Sequence, residues 1–217
     1  MTDAHCHVSC GDESVREFLI GRDFFGIHPW DVSADAGERA AALEAVRSSL
    51  LANPKAGVGE IGLDRLKVRD VPPEMREMFA AQLELALKLD RPVVLHGAKC
   101  WGQVVSAIKS AASSHPHGFG KPFLFHGFSR SAGLIPEIVA MNGYISIGPA
   151  ILNDHAVNYR ELAKAIPEER LLVETDRTVE SAAVSIGDVL AKLAEVRGVS
   201  FAALERATDA NAAVFLV

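Results

Sequence analysis

The chain has 217 residues, 49% of them hydrophobic, enough for one sizeable core, and it is expected to form a single domain over 1–217. A formal net charge of −6 argues against broad electrostatic capture of nucleic acid or of an anionic membrane surface, so a polyanionic substrate would need a local basic pocket. Three cysteines, Cys6, Cys10 and Cys100, form no C-x-x-C pair and no even set, which argues against a disulfide framework. No apolar run approaches the roughly 18–20 residues of a spanning helix. The first candidate functional residues begin at position 3, which leaves no room for a cleaved leader, so the expected location is the cytoplasm, with no membrane partner and no obligate protein partner.

In chain order, the opening stretch Asp3-Ala4-His5-Cys6-His7 reads as a strand over 2–7. Positions i and i+2 of a strand point to one side, so His5 and His7 face one point, an arrangement suited to a metal ion. A short amphipathic segment spans 14–21, and a second strand over about 24–27 runs into His28-Pro29-Trp30. Helical spacing over 38–51 ends at Asn53-Pro54, before an apolar strand over 56–61 that carries Glu60. A helix over 75–89 precedes a strand over 92–96 ending in His96, and a helix over 101–112 precedes a strand over 122–126 ending in His126. His115, His117 and His155 read as solvent-facing loop residues. A helix over 132–141, with Pro136 in its first turn, leads to a strand over 143–147. A helix over 158–166 then precedes a strand over 170–174 that runs into Thr175-Asp176, and helices over 186–196 and 201–215 close the chain.

Short apolar strands alternating with helices imply βαβ units and a parallel sheet. Polar candidates end at least five of these strands. An open doubly wound sheet concentrates its ligand groups at one switch point, whereas a barrel gathers them from many strand ends, so the expected fold is α/β, a TIM-type (β/α) barrel. Seven strands are readable, and the eighth is missing or hidden between Cys10 and Arg22, which makes the barrel a distorted one. Strand after apolar strand ending in His, Glu or Asp places costly polar groups at one face of the core, and a metal centre offsets that cost.

These residues resemble the TatD family of metal-dependent hydrolases within the amidohydrolase-like barrels. The resemblance runs in order through Asp3-Ala4-His5-Cys6-His7, Gly26-Ile27-His28-Pro29, Gly59-Glu60-Ile61-Gly62-Leu63-Asp64, Pro92-Val93-Val94-Leu95-His96, His126-Gly127-Phe128-Ser129, Ser146-Ile147-Gly148 and Glu174-Thr175-Asp176, with a family-like ending at 211–215. It implies two divalent metal ions: His5, His7 and Asp176 hold one, His96 and His126 hold the other, and Glu60 bridges them. Imidazole and carboxylate donors admit zinc, manganese, iron or cobalt, and carboxylates with water also admit magnesium. A metal pair brings the pKa of bound water near neutrality, and Asp176 would orient that water and take its proton, with Glu60 as the second catalytic carboxylate. Asp3, on the inward face of the first strand, is a candidate partner for a ligating histidine.

The chain departs from the family pattern where substrate would be held. Trp30 stands where a second histidine usually follows the proline, and Ala98 with Lys99 replaces an arginine after the strand of His96. Arg130 replaces a small residue, and Arg177-Thr178 replaces Ser-Pro. The usual strand and helix after the first motif are compressed into about fifteen residues. His28, Lys99, Arg130 and Arg177 are the candidate substrate-binding residues, and Arg65 and Lys67 also follow strand ends as possible members of an anion pocket. The resemblance implies a phosphodiesterase or deoxyribonuclease acting on DNA or a small phosphoester. Hydrolysis of a small amide, lactone or ester on the same metals is the alternative, and a degenerate metal-binding barrel with little turnover is the third reading.

Overall fold

In the computed structural model, described for residues 1–114, 119–129, 132–181 and 184–216, the backbone forms eight strands and seven α-helices among the described residues. The strands are β1 (Thr2–Cys6), β2 (Arg16–Leu19), β3 (Phe24–Phe25), β4 (Gly57–Asp64), β5 (Val93–Ala98), β6 (Phe123–Phe125), β7 (Gly143–Ile147) and β8 (Leu171–Val173). The helices are α1 (Ala36–Ala52), α2 (Pro73–Leu89), α3 (Trp101–Ser113), α4 (Ile135–Ala140), α5 (Val157–Ala165), α6 (Ile186–Arg197) and α7 (Phe201–Phe215). No helix of the described residues is long and apolar enough to cross a membrane.

The strand hidden in the sequence is β2. Its four residues lie inside the segment 14–21, and they pair in parallel with β1 through Thr2 with Arg16, Asp3 with Glu17 and Cys6 with Leu19. Only Phe18 and Glu17 of this strand are fully buried, so its apolar signature is too short to show a period. Helix α1 begins two residues before the expected start because the carboxylate of Asp35 accepts the backbone N–H of Glu38 at 2.8 Å, an N-cap that fixes the first turn. Strand β4 runs three residues beyond the expected end and takes in Asp64.

Two compact units divide the chain, one made of Met1–Ile20 with Phe125–Val217, the other of Gly21–Leu124. In the first unit β1 pairs with β2 and β7 with β8, all in parallel. Past the last residues of β1 and β8 the chain stays joined, since His7 and Val8 donate their N–H groups to the carbonyl of Arg177 at 2.8 and 3.1 Å and Asp176 donates to the carbonyl of His5 at 3.0 Å. Helix α7 packs on β8 and β1, and its Phe215 ring lies 6.2 Å from Phe18 and 5.8 Å from Tyr144.

In the second unit β3, β4 and β5 pair in parallel, and every residue of β4 is buried, as expected for a parallel strand covered on both faces. Helix α2 lays Met75, Met78, Phe79, Gln82, Leu83 and Ala86 against this sheet, the i, i+3, i+4 stripe of an amphipathic helix. Gln82 does more than pack: its side chain accepts the N–H of Ile27 at 2.7 Å and donates to the carbonyl of the same residue at 3.1 Å. The backbone entering His28 is thereby fixed from a buried amide. Register between β4 and β5 shifts between Val58 and Ile61, then aligns Gly62 with His96. At Gly62 the φ angle is 155°, and a Cβ there would lie 1.9 Å from the carbonyl oxygen of His96. Gly62→Ala should therefore force β4 away from β5; we expect a loss of at least about 2 kcal/mol, seen as a fall of roughly 5 °C in Tm by differential scanning calorimetry, and an unchanged Tm would contradict this register.

Candidate metal centre

In the first unit, β1 carries His5 and is followed by His7, while Asp176 follows β8 by three residues. The imidazole Nε2 atoms of His5 and His7 each lie 3.5 Å from the same Oδ1 of Asp176, and the two rings meet edge to face with centroids 5.0 Å apart. The i, i+2 spacing thus delivers both rings to one point. Asp176 adopts φ 47°, a left-handed conformation that aspartate tolerates better than most residues, and its side chain is about half exposed while His5 is fully buried. Burial pushes the Asp176 carboxyl up, but hydrogen bonds with His5 and His7 outweigh it and hold the group well below the usual carboxylate range.

His126 stacks on His5 with centroids 4.1 Å apart, and ligand atoms of His5, His126 and Asp176 lie within 4.8 Å of one another, a donor set of two imidazoles and a carboxylate that fits a divalent cation. The resemblance assigned His126 to the ion of His96; its contacts within this unit group it with His5 and Asp176. The Nδ1 of His126 is 3.5 Å from Oε1 of Glu174, which also accepts the N–H of Gly127 at 2.7 Å, and Glu174 is hydrogen-bonded to Ser146 as well. Glu174 of the Glu174-Thr175-Asp176 motif is thus a further functional candidate, since only the fold brings it to His126. Its neighbours Gly127, Gly148, Tyr159, Asp176 and Thr178 help to line a cavity of about 590 Å³.

Asp3 is fully buried behind this cluster. Its carboxylate accepts the Thr175 N–H at 2.9 Å, the Thr175 hydroxyl at 2.5 Å and, more weakly, the His5 N–H at 3.4 Å. The expected partner was a histidine ring; the observed partners are the backbone of His5 and Thr175, the residue before Asp176.

In the second unit, Glu60 of β4 is buried and its Oε1 lies 2.7 Å from Nδ1 of His96 and 3.8 Å from Nε2 of His28. The other ring nitrogen of His96 is 2.8 Å from Oδ2 of Asp64, a buried carboxylate at the end of the same strand as Glu60. His28, Glu60 and His96 form a second group whose ligand atoms lie within 4.8 Å of one another, again a set that fits a divalent cation. His28, expected at the substrate, therefore also belongs to a metal-ligating cluster. Asp64 was a missed neighbour; its signal was its place two residues after Gly62 in an all-buried strand.

The basic candidates separate. Lys99 is exposed just past β5, with φ 58°. Lys67 places its ammonium 3.6 Å from the centroid of the Trp30 ring, and the Nε of Arg65 donates to the carbonyl of Arg69. Arg177 is buried, and in place of the expected substrate contact its guanidinium lies 3.1 Å from Glu17 of β2. Glu17 also accepts from the Ser9 hydroxyl and the Cys10 N–H, both at 2.6 Å; burial pushes its carboxyl up, yet these hydrogen bonds and Arg177 hold it below its ordinary value. Arg177 thus braces the short strand β2. Arg130, with His115 and His117, lies outside the described residues.

Histidine and carboxylate clusters on or just past parallel strands place the candidate groups where parallel α/β barrel folds carry their sites. The chain belongs to the TatD-related DNase family, whose profile matches residues 13–216. It is 29% identical over 165 residues to an uncharacterized metal-dependent hydrolase, YabD, of Bacillus subtilis, a match covering 76% of this chain and 61% of that protein. It is 30% identical over 200 residues to the 3'-5' ssDNA/RNA exonuclease TatD of Klebsiella pneumoniae, covering 86% of this chain and 73% of that one. The chain thus spans about three fifths of the Bacillus relative and under three quarters of the Klebsiella one. The crystal structure of YjjV, a TatD homologue from Escherichia coli, superposes with a TM-score of 0.74 at 25% identity over 94% of this chain and 78% of that one, which gives the fold as the TatD barrel type.

Burial raises the Asp3 carboxyl from 3.8 to about 6, although its hydrogen bonds to Thr175 act in the opposite direction. A raised folded-state value means that the folded chain keeps a proton the unfolded chain releases, so this group's contribution to stability falls as pH rises from about 4 to about 6. The difference is worth on the order of 3 kcal/mol. Asp3→Asn, which stays neutral, should remove that slope: urea unfolding of metal-free protein at pH 4.5 and pH 7 should show a smaller difference for the variant than for the wild type, and equal differences would show that Asp3 does not carry it.

Proposed function

We propose that the chain is a divalent-metal-dependent phosphodiesterase acting on single-stranded nucleic acid, and that it works in the cytoplasm with two cations, one at each cluster. The observation that carries this reading is the convergence of His5 and His7 on one Asp176 oxygen at 3.5 Å each, with His126 stacked alongside. His5, His7, His126 and Asp176 would hold one cation; Glu60, His96 and His28 would hold the other. The donor set suits zinc, manganese, iron or cobalt, and magnesium through the carboxylates. Bound there, such ions acidify water and neutralise charge developing on a phosphodiester.

The chain's own residues supply the rest. Asp176, ionised and half exposed beside a cavity of about 590 Å³, is placed to accept a proton at its carboxylate. Asp64 accepts at the outer nitrogen of His96 and holds the ring in one orientation, which leaves Nδ1 of His96 and the buried Glu60 carboxylate facing each other, where a cation would take both. Lys99, exposed just past β5, would be the substrate-facing group of the second unit. The names of the Klebsiella and Bacillus relatives support a nuclease of metal-dependent type. An odd number of cysteines with no C-x-x-C pair supports a reducing compartment.

Metal analysis of purified protein, followed by incubation with labelled single-stranded DNA and RNA under zinc, manganese or magnesium, tests the reading. Cleavage is expected, with His5→Ala and Glu60→Gln each losing metal and at least about 100-fold in rate. Cleavage of esters or lactones alone would reassign the substrate, and a wild-type protein that binds no divalent metal would end the enzyme reading.

A further inference from the structure

Trp30 is 51% exposed, a large apolar surface to leave in water, and it sits on the single turn Pro29–Asp31 directly after His28. Its backbone is anchored. The Trp30 N–H donates to Nδ1 of His28 at 3.2 Å, the His28 ring stands edge-on to the indole with centroids 5.0 Å apart, and the His96 ring is 6.4 Å away. Upstream, the buried Gln82 amide holds both backbone groups of Ile27. The backbone that carries the indole is thus held in place, and the ring stands beside the His28 and His96 rings of the His28, Glu60 and His96 cluster. Lys67 reaches over it from the segment after β4, its ammonium 3.6 Å from the ring centroid.

We propose that Trp30 is a nucleobase-stacking platform, with Lys67 as its phosphate partner, that seats the nucleotide adjoining the one held at the His28–Glu60–His96 cluster. This rests on the nuclease reading given above. Every base has a flat π face, so an exposed indole binds single strands with little regard to sequence, and a duplex, whose bases are already stacked on each other, presents no such face. The lysine shows that a cationic group reaches the indole face. A base stacked there buries more apolar surface than the exposed cation–π contact it displaces. The flexible lysine stem then frees its ammonium to meet the phosphate as a point charge. The net charge of −6 gives the chain no general attraction for a polyanion, so a local aromatic and cationic pair is what selects a strand.

The chain has two tryptophans, and Trp101 is only 3% exposed, so a ligand-induced change in tryptophan fluorescence reports Trp30. Metal-loaded protein is titrated with a ten-residue phosphorothioate oligothymidylate that resists cleavage, with an abasic oligomer of equal length and with a duplex, and affinities of variants are followed by anisotropy of labelled phosphorothioate oligothymidylate. Saturable quenching by the oligothymidylate is expected, with weaker binding of the abasic strand and the duplex. Trp30→Ala should raise Kd about tenfold, Trp30→Phe should stay within roughly threefold of wild type, and Lys67→Ala should lower the salt slope of log Kd by about one. Unchanged affinity in Trp30→Ala, equal binding of the abasic strand, or no saturable binding by the wild type overturns the proposal. Cleavage of DNA by wild type with Trp30→Ala affinity unchanged would remove the platform and leave the nuclease reading. Loss of binding in Trp30→Ala from a protein that cleaves nothing would do the reverse.

Discussion

The contact on which the first cluster depends is the clasp between Asp3 and Thr175, two buried residues 172 positions apart in the chain. One carboxylate accepts both the N–H and the hydroxyl of Thr175, and the next residue, Asp176, donates its own N–H to the carbonyl of His5. Together with the His7 and Val8 bonds to Arg177, this ties the ends of the first and last strands into one piece of backbone. The candidate ligands His5, His7 and Asp176 all hang from that piece. Their mutual distances are set by main-chain hydrogen bonds and by a buried side chain, not by the exposed ends of flexible groups, which is how a ligand set is held to the tolerance that metal binding demands.

The second unit reaches the same rigidity by different means. Glu60 and Asp64 lie on one strand and grip opposite nitrogens of His96 on the next, so a ring from β5 is pinned between two carboxylates of β4. This requires close approach of the two backbones, and Gly62 permits it. His28 is held from the other direction, through Ile27 and the Gln82 amide. A buried glutamine on an otherwise apolar helix face is costly unless both its amide atoms are satisfied, and here both are.

Residue types and strand order were readable because parallel strands announce themselves as apolar runs and because a polar residue at the end of such a run is conspicuous. Strand β2 was not readable as a strand, only as a gap in the count, because four residues cannot display a period. The role of Arg177 was misleading for a related reason: an arginine after a strand end looks like an anion ligand, and nothing local in the sequence says that Glu17, 160 positions away, takes it inside. Asp64 and Glu174 were visible as members of motifs but not as partners, since their bonds to His96 and Ser146 are long-range contacts that only the register and the crossing of the chain create.

Charge balance in the first unit bears on why this arrangement suits a cation. Asp3, Glu174 and Asp176 crowd three carboxyl groups around His5 and His126, and two of the three are fully buried. Their environments pull in different directions. Burial and the nearby Glu174 raise the Asp3 carboxyl to about 6, whereas hydrogen bonds with the imidazoles of His5 and His7 drive Asp176 the other way. Imidazole can satisfy one such carboxylate by carrying a proton, but a protonated ring is no longer a ligand. A divalent ion favours the ionised carboxylates and the neutral imidazoles together, which no redistribution of protons within the cluster can do. About His96 as well, two buried carboxylates, those of Glu60 and Asp64, meet a single ring.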